Sequence, residues 1–163
     1  IEAAYDFQAD LIGGLTAAAT RRITQAIRLG TLEGRRPFEI MRSVAGSLEA
    51  PGAFASITAR AEAITRTEVG RLQAIAAQAT LEESHRLVPD LLKQWKHSGA
   101  IDARVTHRAY DGETRDVNEF YEVAPRPGTP REQMLYPRDP RGSAANTVNC
   151  GCLSLPFKAD WPA

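Results

Sequence analysis

Apolar residues in the first half of the chain recur mostly at steps of three and four, the spacing that lines up one face of a helix. Phe7, Leu11, Leu15, Ala18, Ile23 and Ile27 predict a first helix, which Gly30 is expected to end. A kink is expected at Gly13-Gly14, because each glycine costs about 1 kcal/mol relative to alanine in a helix. A shorter helix follows. Pro37 suits its first turn, Phe38, Met41, Val44 and Leu48 form its inner face, and Pro51-Gly52 breaks it. The third and longest helix is predicted over about 53–86, on the stripe Phe54, Ile57, Ala61, Ile64, Glu68, Leu72, Ile75 and Ala79. Glu68 stands where the pattern asks for an apolar side chain. Either it sits at the edge of the stripe, or it faces inward and pairs with an arginine, since an unpaired buried charge costs several kcal/mol.

The pattern changes after Val88-Pro89-Asp90, and eight of the ten prolines lie at or beyond Pro89. Leu91 to Ser98 reads as a strand with Leu91, Trp95 and His97 on one face. Phe120-Tyr121-Glu122-Val123 and Cys152-Leu153-Ser154-Leu155 read as two more. The stretches Pro125-Arg126-Pro127-Gly128 and Tyr136-Pro137-Arg138-Asp139-Pro140-Arg141-Gly142 are too rich in proline for regular structure. Three short strands need helices against them to bury a face. The prediction is therefore an α+β fold, with N-terminal helices, one of them long, packed on a small irregular antiparallel sheet with long Pro-rich loops. Residues 1–50 are expected to form a helical arm or N-terminal helical part, and residues 51–163 a second domain. No internal repeat interrupts this plan.

Composition narrows the classes. Hydrophobic residues make up 43% and charged residues 25%, as in ordinary globular proteins. Twenty Lys and Arg balance twenty Asp and Glu. The zero net charge gives no support to non-specific DNA binding, which needs a basic surface, although a local patch around Arg131, Arg138 and Arg141 remains a candidate contact for nucleic acid or a partner. No apolar run approaches the roughly 20 residues that span a bilayer, so no membrane partner is expected. Ile1-Glu2-Ala3-Ala4 is not a signal peptide and lacks an initiating Met, so residues are expected to be missing upstream.

Several clusters stand in a fixed order. Arg66-Thr67-Glu68 lies on the long helix, followed by Lys93-Gln94-Trp95 and by Asp102-x-Arg104-x-x-His107 with Asp111-Gly112. Pro137-Arg138-Asp139-Pro140 and Asn149-Cys150-Gly151-Cys152 complete the set. In this order and spacing they resemble the Mu F-like minor head proteins of the phage head-morphogenesis family, over about residues 55–155. Val105, Thr106 and Gly151 depart from that family's pattern, the last where an Arg is usual between the cysteines. The resemblance implies that 51–163 is a Mu F-like minor head domain. It further implies a structural, portal-vertex-associated virion protein acting in capsid assembly or DNA delivery, and no enzyme. Its partners would be the portal protein, other head proteins and packaged DNA, and its location the virion after assembly in the host cytoplasm. Arg104, in the turn motif, becomes the expected partner of Glu68.

Cys150 and Cys152, two apart in a strand, would present their sulfurs to the same face. A direct disulfide between them would be strained, and a reducing cytoplasm disfavours one further. Two thiolates beside an imidazole are zinc ligands, with His107 the best third and His97, Asp102, Asp111 or water as the fourth. The alternatives are two buried thiols packed as hydrophobes with His107 hydrogen-bonded in a turn, or a redox pair. His85 is expected to be solvated at a helix end, and Trp95 to be core. A metal-dependent or cysteine-based enzyme can be assembled from His107, Asp102, Asp111 and the cysteines. The sequence has, however, no glycine-rich phosphate loop, Gly-x-Ser-x-Gly or His-Glu-x-x-His. A toxin-trafficking module on the same domain is the remaining alternative.

Overall fold

Helix α1 (Ala17–Leu32) starts where the Thr16 hydroxyl accepts the Ala19 N–H at 3.2 Å, one of the orphan donors of a helix start. The computed structural model describes residues 14–48, 54–99 and 103–161; Phe7, Leu11, Gly13, the Pro51-Gly52 break and Asp102 lie outside the described residues. Gly14 adopts a φ of 70°, three residues before the helix begins. Gly30 does not end α1, as the sequence suggested. It is buried inside the helix, where an added Cβ would lie 2.6 Å from Ile40 Cγ1. Its job is close approach, and Gly34, at φ 67°, turns the chain beyond the helix.

Helix α2 (Pro37–Ala45) opens on Pro37 as expected, with Glu39 reaching back to the Arg36 N–H at 2.9 Å. Its inner face is rotated from the expected one. Ile40 and Val44 are buried, while Phe38 is 62% exposed. Ile23, Ile27, Ile40, Val44 and Leu48 form a core with Ala61 and Ile64 of helix α3 (Ile57–Leu87). The Ser56 hydroxyl accepts the Ala59 N–H at 3.1 Å at the start of α3, a capping bond. Beyond Leu72 the buried face turns to Gln78 and Leu81, and Ala79, expected inside, is exposed.

The chain divides into two compact units, Ile1–Leu72 and Gln73–Ala163, so the division falls within α3; from sequence it was expected after residue 50. In the second unit Leu81 packs with Leu91 and Val117. Strand β1 (Leu92–Lys96) follows, then helix α4 (Val105–Arg108), β2 (Thr114–Asp116), β3 (Tyr121–Val123), β4 (Glu132–Met134), helix α5 (Ala144–Thr147) and β5 (Leu153–Phe157). The fold is α+β. One antiparallel sheet has the order β2-β1-β5, with Trp95 opposite Ser154 and Lys93 opposite both Arg115 and Pro156. β3 and β4 form a second, two-stranded antiparallel sheet, Tyr121 opposite Met134. Along β1, Lys93 and Trp95 are buried while Gln94 is half-buried and Lys96 exposed, the two-residue alternation of a strand with one inner face.

Candidate metal centre

Trp95 is fully buried at the centre of the second unit, in a cluster with Tyr121, Val123, Met134, Cys150 and Cys152. Its ring lies edge-on to Tyr121 at 5.2 Å and to His107 at 5.4 Å, arrangements aromatic quadrupoles favour. His107 sits on α4, a single turn that Arg104 opens by accepting the His107 N–H at 3.0 Å. Asp111-Gly112 then turns the chain into β2. Gly112 has φ 84°, and Asp111 accepts the His97 N–H at 2.9 Å while pairing with Lys96.

Three donor atoms meet here. His107 Nδ1 lies 3.5 Å from Cys150 Sγ and 3.8 Å from Cys152 Sγ, and all three atoms lie within 4.8 Å of one another. Both cysteines are free thiols, and all three residues are buried. The donor set fits a tetrahedral zinc ion. With Zn–S about 2.3 Å and Zn–N about 2.0–2.1 Å, ligand atoms stand about 3.5–3.8 Å apart. The thiols share their acidity. The hydrogen bond from Cys152, aided by the charges of Arg138 and Arg104, brings Cys150 down to about 7 against the push of burial. The same bond, with burial, pushes Cys152 upward.

Two arginines hold the loop before the cysteines. Arg104 donates Nη2 to the Val148 carbonyl at 2.7 Å, and buried Arg138 donates Nε to the Cys150 carbonyl. The sequence pointed to Arg104 as the partner of Glu68. The ion pair of Glu68 is with Arg71, three residues along α3, and both side chains are almost wholly buried. Burial raises the Glu68 carboxyl to about 7 although Arg71 pulls it down. Arg138 has φ 69° and Asn149 φ 54°, left-handed conformations that non-glycine residues adopt at a cost. Buried Asp139 supports this turn by accepting the Leu135 N–H at 2.6 Å and the Arg141 N–H at 2.9 Å. Of the arginines named as candidate contacts for nucleic acid or a partner, Arg138 is thus internal, Arg141 covers Phe120 at 4.7 Å, and Arg131 is exposed.

Among the expected fourth ligands, Asp111 is exposed and engaged by Lys96, and His97 Nδ1 accepts the Gly99 N–H at 3.0 Å. Asp102 is outside the described residues. His85 is half-buried, not solvated, and donates Nδ1 to the Leu91 carbonyl at 2.9 Å. Asn146 and Glu132 were not singled out from sequence, and Lys93 was named only as part of a motif, without its partners. Fully buried Lys93 donates to the Val117 carbonyl at 2.9 Å and the Leu135 carbonyl at 2.7 Å, and burial lowers its amine to about 8. Asn146 meets His107 Nε2 at 3.0 Å, and Glu132 accepts from Asn146 at 2.7 Å. A lone Asn or Glu in an element of three or four residues carries no periodic signal. The one available cue was Ser143, a capping residue type, before the short helix that carries Asn146. Gly151, between the cysteines, has Ser98 Cβ 2.8 Å from where its own Cβ would be, which accounts for a glycine at this position.

No family model and no solved structure matches the chain. It is 29% identical over 135 residues to the NAD(+)--arginine ADP-ribosyltransferase EFV of Enterococcus faecalis, which covers 83% of this chain and 25% of that protein. It is 34% identical over 84 residues to YqbB, an uncharacterized protein of Bacillus subtilis, covering 50% of this chain and 26% of that one. The chain therefore spans about a quarter of the length of either relative. The first match corrects the expectation that the chain has no enzymatic connection, because most of its length is similar to part of a protein named for ADP-ribosyl transfer. The missing phosphate loop, Gly-x-Ser-x-Gly and His-Glu-x-x-His motifs exclude three particular chemistries and not enzymes as a class.

Proposed function

We propose that this chain is a Mu F-like head-morphogenesis module within a longer protein, acting at the portal vertex of a phage head in capsid assembly or DNA delivery. The observation that carries this reading is the convergence of the ordered motifs. Lys93 binds the Leu135 carbonyl, Trp95 packs on His107, Arg138 holds the Cys150 carbonyl, and His107 faces both cysteines. Residues spread over some 60 positions thus build one buried constellation, as expected if they are the signature of a single module. Co-expression with the portal protein of the same phage genome, sought beside the gene for this chain, tests the reading. A complex that survives size-exclusion chromatography is expected, and an unbound chain beside an intact portal ring counts against it.

Within this module, zinc on His107, Cys150 and Cys152 acts as a clip, with water as the fourth ligand. More than 40 residues separate the histidine from the cysteines, and the stretch between, which holds only the short β2, β3, β4 and α5, is rich in Pro, Gly and Arg. A metal holding its ends turns binding energy into folding energy. Metal analysis of protein purified without a polyhistidine tag should find about one zinc per chain, and none would leave the cluster as packed thiols.

The match to EFV favours a second reading, in which the longer protein also transfers ADP-ribose from NAD(+) to arginine. The bond to nicotinamide would break, a bond to a guanidinium nitrogen would form, and nicotinamide and a proton would leave. Labelled NAD(+) with an arginine-bearing acceptor tests it, since transfer by this chain alone would place the activity within these residues.

A further inference from the structure

Either ring nitrogen of a histidine can ligate a metal, and the hydrogen bond made by the other one sets which is free to do so. Asn146 is fully buried on the single turn α5. One end of its amide faces Glu132 Oε2 at 2.7 Å and the Val123 carbonyl at 3.3 Å. Both of those atoms accept, so this end must be the NH₂ group. The other end, Oδ1, then faces His107 Nε2 at 3.0 Å. An amide oxygen only accepts, so Nε2 carries the ring proton. In the neutral ring Nδ1 then keeps its lone pair, on the side of the two sulfurs, 3.5 and 3.8 Å away. Glu132 is itself anchored, since Oε2 also accepts the Ser143 N–H at 2.8 Å. Burial pushes its carboxyl up, but the bonds from Ser143 and Asn146 outweigh that and hold it below its ordinary range.

The geometry points to a positioning relay, Glu132–Asn146–His107, that locks His107 as the Nε2–H tautomer and so selects Nδ1 as the ligand. Its effect on metal affinity rests on the zinc reading above, whereas its effect on the ring does not. Histidine ligands generally donate their second nitrogen to a carbonyl or carboxylate, which orients the ring and strengthens the donor, and losing that partner costs about 10–100-fold in metal affinity.

The test uses ¹⁵N-labelled protein, zinc-free and zinc-loaded, with Asn146→Leu and Glu132→Ala variants. In the zinc-free parent the ring nitrogens of His107 should report the Nε2–H form. Asn146→Leu should allow the Nδ1–H form and weaken zinc, measured by chelator competition, by about 10–100-fold. Glu132→Ala, altering a half-buried residue, should shift the ring in the same direction and serves if Asn146→Leu does not fold. An Nδ1–H ring in the parent overturns the relay. So do variants that fold and keep both the parent ring spectrum and the parent affinity. If the parent binds no zinc, the zinc reading fails, and the ring spectra alone decide: loss of the Nε2–H preference in a folded variant sustains the relay, and its retention ends it.

Discussion

Glu68→Gln should stabilise the protein at pH 8 and leave it unchanged near pH 4.5. Glu68 is 2% exposed, and Oε1 has no hydrogen-bond partner among the described residues, while Oε2 meets Arg71. Burial holds its proton up to about 7 in the folded chain, whereas the unfolded chain releases it near 4.5. Between those values the folded state binds the extra proton, so stability falls as pH rises. It is fully present below the unfolded value and flat again above the folded one. The difference corresponds to about 3 kcal/mol. Glutamine keeps the shape and an acceptor for Arg71 but cannot ionise, so it should retain the low-pH stability at every pH. Urea unfolding followed by far-ultraviolet circular dichroism at pH 4.5 and 8 measures both proteins. A loss of about 3–5 kcal/mol in Glu68→Gln at pH 8, the usual cost of breaking a buried ion pair, would refute the reasoning. It would mean that attraction to Arg71 outweighs desolvation.

Gly30→Ala should lower the midpoint of thermal unfolding. Its Cβ would meet Ile40 Cγ1 at 2.6 Å, and overpacking of about 1–3 kcal/mol exceeds the helix gain of about 1 kcal/mol; a raised midpoint would show that α2 yields. Gly151→Ala should cost about 1–3 kcal/mol against Ser98, and Ser98→Gly in the same chain should restore most of it. Additive losses in the double variant would place the strain elsewhere. Cys150→Ser with Cys152→Ser should remove zinc and lower stability in chemical denaturation. A double variant as stable as the parent, yet unable to support head assembly, would reopen a redox role for the pair.

The long α3 and the α+β plan were legible because 31 helical residues give many repeats of one period, and because prolines cluster after Pro89. Strands β2 and β4 were not. Thr114-Arg115-Asp116 and Glu132-Gln133-Met134 are too short and too polar to show alternation. Gly30 reads locally as a stop, and only the neighbouring Ile40 shows that it is a packing position. At α2 the apolar candidates Phe38 and Ile40 point to different faces, and packing against α1 chose Ile40. In the candidate site, His107, Cys150 and Cys152 were legible from residue type and order. The partner of Glu68 was not, because an arginine one turn away competes with any distant one. Asn146 stayed hidden, and the partners of Lys93 and Asp139, both within the ordered motifs, were not legible, because each is buried by pairing with backbone or side-chain groups remote in sequence or within an irregular loop.

The central proposal is residence at the portal vertex of a phage head. Asymmetric electron cryo-microscopy of heads assembled with the full protein that carries this chain tests it most directly. At one vertex only, the map should contain a rod about 46 Å long, the length of the 31-residue α3. Infectious heads purified without the protein, with no such density at any vertex, would contradict the account.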